Sequence, residues 1–327
     1  MKNSEHTQRP KKIKESSIIV TGGLGFLGFH LTKKLINAGY YPIVIDDLSN
    51  SNKERLSEFS DKITFIKSDI CDEKIILSKI KSKKLKPKII IHLAAKHFIP
   101  DCIKDPDETM RVNVEGTRSI LEIGLKLKIK KVIFASSAAV YKSSKKKHKE
   151  SDALKHADIY GLSKITSEEV ISSYSRKYGF KYLILRLFNI YGPGDLTPHL
   201  IPSLAYRFKH DNFIRVGNTN TLRDYVYVDD VADAFLLGVK KNNQFTKNMV
   251  YNVGSGKETS VIKIIKMMKS LTKKNLPIKE VKKLTRKNDT EKLIANIRKI
   301  KNNIVWNPKE DFTTGLSKTL NYYDKKN

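Results

Sequence analysis

Residues 17–21 form a short apolar run that passes directly into Gly22, Gly23, Leu24, Gly25, Phe26, Leu27 and Gly28, and residues 29–38 are apolar at helical spacing until Gly39. Strand, glycine turn and helix in that order prescribe one kind of start to a fold. Gly22 permits the tight turn, Gly25 lets main-chain N–H groups approach a pyrophosphate, and Gly28 lets the helix pack closely on the strand. The pyrophosphate then meets a helix N-terminus, opened here by Phe26 and Leu27, where unpaired N–H groups and the helix dipole favour an anion. The next strand, 41–45, ends in Asp46 and Asp47, eighteen and nineteen residues after Gly28. A carboxylate there accepts from adenosine ribose hydroxyls and repels a 2′-phosphate, so NAD is expected as the cofactor in preference to NADP.

A third strand, 63–66, leads to Asp69 and Ile70, a pair suited to the edge and face of an adenine. A fourth, 88–91, ends in His92, Leu93, Ala94 and Ala95, where small residues let the backbone lie close to the cofactor. His92, at the strand end and followed by leucine, is read as a structural histidine bonded to the backbone. Lys96 is counted as a substrate contact one step further along. Asn113 falls in a helical stretch, 108–127, from which its amide can pin the end of the active-site strand.

That strand is 131–134, and it delivers Ser136, Ser137, Ala138, Ala139, Val140 and Tyr141 to the carboxyl edge of a sheet, where α/β folds bind ligands. Tyr160 and Lys164 follow on a stretch to residue 178 with no proline and no glycine after Gly161, so they lie one turn apart on one helical face. A free phenol has a pKa of about 10, and bringing it near neutrality takes roughly 4 kcal/mol of differential stabilisation of the phenolate. A nearby ammonium and a second cation, such as a pyridinium ring, can supply that in a partly desolvated site. Tyr141/Lys145 and Tyr322/Lys326 share the spacing. The first runs into a Ser/Lys-rich loop and the second lies at the C-terminus, so Tyr160/Lys164 is the working pair.

Composition bounds the class. The chain has 327 residues, 39% of them hydrophobic, which suits a globular α/β protein of one large or two smaller domains. No apolar run approaches the roughly 20 residues of a membrane span, so no membrane partner is expected. Residues 1–15 read as a disordered basic leader on a cytoplasmic protein. Cys71 and Cys102 have neither metal-ligand spacing nor a disulfide framework, and no metal is expected. The formal net charge of +29 is carried by lysines spread over almost every predicted helix and loop, so no specific nucleic-acid partner is expected, and phosphorylated substrates are favoured.

Taken together, Thr21-Gly-Gly-x-Gly-Phe-x-Gly28, Asp46, Asp69-Ile70, His92-Leu-Ala-Ala95, Asn113 in Asn-Val-Glu-Gly-Thr, Ser136-Ser-Ala-x-Val-Tyr141, Tyr160-x-x-x-Lys164 and Arg186-Leu-Phe-Asn-Ile-Tyr-Gly-Pro193 resemble an extended short-chain dehydrogenase/reductase. Within that family the chain is most similar to the NAD-dependent nucleotide-sugar epimerases, from about Ser16 to Pro308. The resemblance implies a Rossmann fold, a doubly wound parallel sheet with a smaller, interleaved α/β substrate lobe. Its expected bounds are 16–190 for the NAD-binding domain and 191–327 for the lobe, with about 224–254 returning to the Rossmann domain.

The same resemblance implies roles. Ser137 would hydrogen-bond the reacting sugar hydroxyl beside Ala138, Tyr160 would be the general base and acid, and Lys164 would bind the nicotinamide ribose and lower the Tyr160 pKa. Asn189 would hold the nucleotide diphosphate, Arg223 a phosphate, and Arg286 with Asp289 a phosphate and a ribose, since guanidinium donors match phosphate oxygens in pairs. His199 and Leu200, at the start of a proline-bounded helix 196–210, are expected to face the sugar, and Val216, closing a strand 213–216, is expected to lie along the base. The family's dimer implies a homodimer through a four-helix bundle built from 108–127 and 159–178.

Family dehydratases and decarboxylases place an acid beside the catalytic hydroxyl, whereas Ala138 and Ala139 follow Ser137 here. The simplest implied reaction is therefore reversible oxidation at C4 of a nucleotide-diphosphate sugar, with the hydride returned to the opposite face. A 4,6-dehydratase or reductase of the same family, or a catalytically idle NAD-binding relative that binds RNA or another polyanion, is the alternative. The pattern departs from the family at Lys142, where glycine is usual, and in the lysine-rich loop that follows.

Overall fold

The computed structural model describes residues 17–241, 248–281, 284 and 292–325. The chain divides into two compact units. The first is drawn from Met1–Ser136, Asp158–Leu185 and Phe235–Val250, the second from Ser137–Ala157, Arg186–Ala234 and Tyr251–Asn327.

The first unit is built on β1 (Ser17–Thr21), β2 (Tyr41–Asp46), β3 (Thr64–Lys67), β4 (Ile89–His92), β5 (Lys131–Ser137) and β6 (Lys181–Leu187). Completed by β11 (Met249–Val253), the sheet runs in the order β11-β6-β5-β4-β1-β2-β3. The pairs β1/β2, β2/β3, β1/β4 and β4/β5 are parallel. This is the Rossmann order, with the change of direction beside β1 that places a ligand crevice at the carboxyl ends of the strands. β1 and β4 are buried along their whole length, as expected of strands covered on both faces.

The helices bury one face each. In Phe26–Asn37 the buried residues are Gly28, Leu31, Thr32 and Leu35, a stripe at helical spacing, and the chain turns away at Gly39. In Glu73–Ser82, Ile76 and Ile80 go under, one turn apart, into the core formed with Ile19, Ile43, Ile90 and Phe134. Each such side chain contributes roughly 1.5–3 kcal/mol. Ile159–Tyr178 begins where the Asp158 carboxylate accepts from Gly161 N–H at 2.9 Å and ends at Gly179, whose φ of 75° terminates it. The stretch expected as one helix over 108–127 is Pro106–Met110, then a π-helical turn Arg111–Glu115, then Gly116–Lys126. π turns inside helices accompany functional sites, and Asn113 sits in this one.

Among the described residues the second unit holds three small sheets. β7 (Asn189–Tyr191) pairs with β10 (Tyr225–Tyr227), β8 (Ile214–Val216) with β13 (Ile278–Glu280), and β9 (Leu222–Arg223) lies between β12 (Thr259–Ser260) and β14 (Lys292–Leu293). Their core joins Tyr191, Leu204, Phe208, Ile264, Met268 and Leu316. The helix expected over 196–210 begins four residues later, as Leu200–His210, and Trp306 Nε1 donates to the Asp230 carbonyl at 2.8 Å inside this unit.

Candidate functional site

In the first unit the glycine loop is fixed from three sides. Gly22 has φ +66°, and a Cβ added there would lie 2.8 Å from Ala94 N, so the loop passes tightly over the end of β4. A Cβ on Gly28 would lie 1.9 Å from the Gly22 carbonyl oxygen, which no side chain can satisfy. Gly25 caps the helix without a side chain, leaving the first-turn N–H groups of Phe26 and Leu27 at the loop. The cradle therefore suits a pyrophosphate approaching the backbone, the part of NAD that such loops hold.

Asp46 closes β2 and is buried. Its Oδ2 accepts from Leu24 N at 3.0 Å, and its Oδ1 accepts from Leu48 N at 3.0 Å and Ser51 Oγ at 2.9 Å. The carboxylate thus ties the glycine loop to the end of β2 and keeps lone pairs for a ribose. Asp47 is exposed and accepts from Ser49 N and Oγ. Asp69 accepts from Cys71 N at 2.8 Å and pairs with Arg111 at 2.7 Å. Burial raises its pKa, but the Arg111 guanidinium and the Cys71 N–H outweigh that and hold it below the usual carboxylate value. Ile70, expected at the face of an adenine, has its side chain in the core under Gly116, and its carbonyl accepts from Ser119 Oγ at 2.7 Å. The run after β3 is too short for periodicity to distinguish a core side chain from a presented one.

A chain of hydrogen bonds crosses this unit from the glycine-loop strand to the tyrosine-bearing helix. Leu93 N and Ala94 N both donate to Thr21 Oγ1 at 3.2 Å, so Thr21 Oγ1 gives its own proton to His92 Nδ1, 2.7 Å away. At the other ring nitrogen, Thr117 Oγ1 spends its proton on the Asn113 carbonyl at 2.6 Å and so accepts from His92 Nε2–H at 3.0 Å. His92 is thereby a neutral imidazole protonated at Nε2. Burial, then the Lys164 charge, push its pKa down to about 3. It is structural as expected, but held by two side-chain hydroxyls and not by the backbone.

Asn113 grips the loop after β4 at both ends of one residue: its Oδ1 accepts from Lys96 N at 2.8 Å and its Nδ2 donates to the Lys96 carbonyl at 2.9 Å. The same Nδ2 donates to Ser163 Oγ at 2.8 Å, and Ser163 Oγ donates to the Tyr160 carbonyl at 2.8 Å. The amide thus holds Lys96 and the turn carrying Tyr160 together. Ala95 lies between these anchored residues.

Lys164 is buried, with Nζ 2.9 Å from the Ala135 carbonyl, 4.8 Å from the Phe134 ring centroid and 5.9 Å from that of Tyr160. Burial lowers its pKa to about 8, against the fields of Cys102 and Glu168, which raise it. Glu168, one turn beyond Lys164, accepts from Ser136 Oγ at 2.5 Å in the same interior. The i, i+4 spacing from Lys164 was a readable signal for this carboxylate, and sequence reasoning passed over it.

In the second unit Ser137 closes β5 and its Oγ accepts from Ala139 N at 3.1 Å, which leaves its O–H to donate. Ala138 is buried in the turn that follows. Tyr141, rejected as an acid/base, is buried and donates to Asn252 Oδ1 at 2.7 Å while Arg186 donates to its oxygen at 2.9 Å. Burial, only partly countered by Arg186, pushes its pKa up to about 12.

Asn189 N and Nδ2 both donate to the Asp224 carbonyl, at 3.0 and 3.3 Å. Arg223 is half-buried in β9. Asp224, to which sequence reasoning gave no role, is wholly buried and collects four donors besides: Ser255 N and Oγ, Gly256 N and Ala295 N, at 2.6 to 3.1 Å. Those partners lie 31 to 71 residues away, out of reach of local pattern.

His199 precedes Leu200–His210, and its Nδ1 lies 2.8 Å from the carboxylate of buried Asp195, while Leu200 flanks the core. Val216, expected along a base, is in the core and its carbonyl accepts from Val281 N at 2.8 Å. Arg286 and Asp289 lie outside the described residues. Among the described residues no helix is long and apolar enough to cross a membrane, and no group of three His, Cys, Asp or Glu could hold a metal ion.

Comparison with known proteins identifies the family of this chain. Residues 18–254 match the NAD dependent epimerase/dehydratase family. A UDP-glucose 4-epimerase of Lacticaseibacillus casei is 29% identical over 314 residues, 90% of this chain and 92% of that protein. The crystal structure of a Thermotoga maritima UDP-glucose 4-epimerase with UDP-glucose superposes with a TM-score of 0.85 at 32% identity, covering 94% of this chain and 99% of that one. A Methanobrevibacter ruminantium UDP-N-acetylglucosamine 4-epimerase in complex with UDP-N-acetylmuramic acid gives 0.86 at 28% identity, covering 95% and 99%.

Proposed function

This chain belongs to the NAD dependent epimerase/dehydratase family, and on that premise we propose that it epimerises a nucleotide-diphosphate sugar at C4, with a UDP-hexose as substrate. NAD, when bound at the Gly22–Gly28 cradle and Asp46, supplies a reversible hydride acceptor for the C4 carbon. The residues of the chain manage the proton. Tyr160, as phenolate, takes the proton of the C4 hydroxyl and returns it to the 4-keto sugar's oxygen after the sugar has turned over. Lys164 keeps that phenolate accessible near neutral pH by its positive field. Ser137, with its O–H left to donate, orients the reacting oxygen. Asn189 and Arg223 serve the diphosphate, with Arg286 and Asp289 assigned to it by sequence.

The observation that carries the reading is the Ile159–Tyr178 helix. It holds Tyr160 and the buried Lys164 a turn apart, clamped through Ser163 and Asn113 to the loop after β4, and in the sequence Ala138 and Ala139 follow Ser137, where a dehydratase places an acid. Proton removal at one alcohol needs no more. Incubation with UDP-glucose and UDP-N-acetylglucosamine, followed by chromatographic separation of the C4 epimers, tests it and sorts plain from N-acetylated sugars. Formation of a 4-keto-6-deoxy product would instead establish the dehydratase reading.

The helices Gly116–Lys126 and Ile159–Tyr178 lie side by side, joined by Tyr174 Oη donating to Glu122 at 2.5 Å. Two such pairs form the four-helix bundle of the proposed homodimer, and sedimentation at micromolar concentration measures it.

A further inference from the structure

The lysines that look scattered in the sequence are collected by the register of the sheet. The segments 79–88, 126–131 and 176–181 hold thirteen lysine and arginine residues and no aspartate or glutamate, and of the thirteen Lys126 is ion-paired with Glu73. They lead into β4, β5 and β6, which are neighbours in the sheet. Ile90 pairs with Val132, which sets Lys88 level with Lys130, and Lys181 N donates to the Lys130 carbonyl at 2.7 Å. Lys88, Lys130 and Lys181 therefore share the first rung of three adjacent strands, about 4.8 Å apart from strand to strand.

Lys84 and Lys128 stand in the left-handed conformation after their helices, φ 54° and 58°, as Lys273 does after Val261–Thr272 in the second unit. Lysines in a last helical turn answer the helix dipole, but Lys86, Lys88, Lys130 and Lys181 lie beyond the helix ends, where that effect has faded. This edge is the amino end of the sheet, opposite the one that carries the glycine cradle and the Tyr160 helix.

We propose that the amino edge of the sheet is a docking face for an anionic lipid surface, on which the protein rests with its cofactor edge turned away. The composition of the face selects this occupant. Only Arg176 among the thirteen offers the guanidinium fork used to read bases, and the aromatic residues of the three segments, Tyr178 and Phe180, pack with the core and do not stand out as stacking platforms. Lysines are mobile point charges that suit a plane of headgroups, and each adds a comparable increment of attraction near an anionic membrane. A nucleic-acid duplex, a rod, would touch such a level edge only along a line.

Cosedimentation with phosphatidylcholine vesicles containing roughly 30% phosphatidylglycerol tests the proposal, using the full chain at low and at physiological salt. Two variants of equal charge change are compared. One reverses the face (Lys83→Glu, Lys86→Glu, Lys88→Glu, Lys130→Glu), the other reverses four exposed lysines of the second unit (Lys263→Glu, Lys266→Glu, Lys301→Glu, Lys309→Glu). The face variant is expected to lose about 10³-fold in partitioning while the second variant stays within about tenfold of the unaltered protein. Both variants are checked for unchanged melting temperature. Equal loss in the two variants would overturn the proposal by assigning binding to net charge alone. So would tighter binding of an arbitrary RNA duplex at the same salt, abolished in the face variant, or absence of vesicle binding by the unaltered protein at low salt.

Discussion

Lys164 Nζ donates to the Ala135 carbonyl at 2.9 Å, so the ammonium is anchored to β5 two residues before Ser137 and one helical turn after Tyr160. A flexible charge is thereby made a fixed one. At an effective dielectric constant of about 20, a unit charge some 6 Å away is worth roughly 3 kcal/mol, or about two pKa units on the phenol. Lys164→Met should move the acid limb of the kcat profile up by about two pH units and lower kcat at pH 7 accordingly. Burial sets the ammonium near pH 8, so in the unaltered protein the rate should also fall as pH rises through that value. A pH–rate profile of both proteins checks the two limbs.

His92 makes a prediction about stability. Its folded pKa of about 3 lies below the ordinary value of 6.5, so between those limits the unfolded chain binds the extra proton. Stability from this residue is full above pH 6.5 and is lost as pH falls, by about 1.4 kcal/mol per unit. His92→Leu forfeits the bonds to Thr21 and Thr117 and should cost about 2–4 kcal/mol at pH 7. Because the variant lacks the titration, its deficit should shrink by about 2–3 kcal/mol at pH 4.5. Urea unfolding at the two pH values measures the difference.

Asn113 holds both main-chain groups of Lys96 and the hydroxyl that supports Tyr160. Asn113→Asp keeps the acceptor for Lys96 N and loses both donors. Displacement of the acid/base by about an ångström costs on the order of 10²-fold in rate, so kcat should fall by that much while KM for the nucleotide sugar changes little. Steady-state kinetics separate the two parameters.

Asp224 is the anchor of the loop after β11 and of β14. Burial pushes its carboxyl pKa up against the hydrogen bonds that lower it, and its removal strands four donors. Asp224→Ala should destabilise the protein by about 3 kcal/mol or more and raise KM through its neighbours Asn189 and Arg223. Chemical denaturation and substrate titration give the two numbers.

What was legible in the sequence is what local chain pattern encodes. The glycine cradle, Asp46 at the end of β2, Ser137 at the end of β5 and the Tyr160/Lys164 helix each occupy a short stretch whose spacing alone specifies strand, turn or helix. What was not legible depends on partners remote in sequence or on a break in regularity. The π turn at Asn113 interrupts a stretch that is uniformly helical in pattern, and the hydroxyls that fix His92 lie 71 and 25 residues away. The side chains of Ile70 and Val216 lie in the cores, which three- or four-residue runs do not reveal because they do not say which side faces inward. The basic face needed the strand register before its lysines could be placed together.

C4 epimerisation as proposed makes Tyr160 the proton carrier. A proton NMR time course with UDP-glucose and no added cofactor, run beside Tyr160→Phe, tests it most directly. Growth of the UDP-galactose anomeric signal with the unaltered protein, and a rate at least about 10²-fold lower with the variant, is the predicted result. Equal rates in the two proteins, or no epimer from any UDP- or dTDP-sugar while NAD is found bound, would contradict the account.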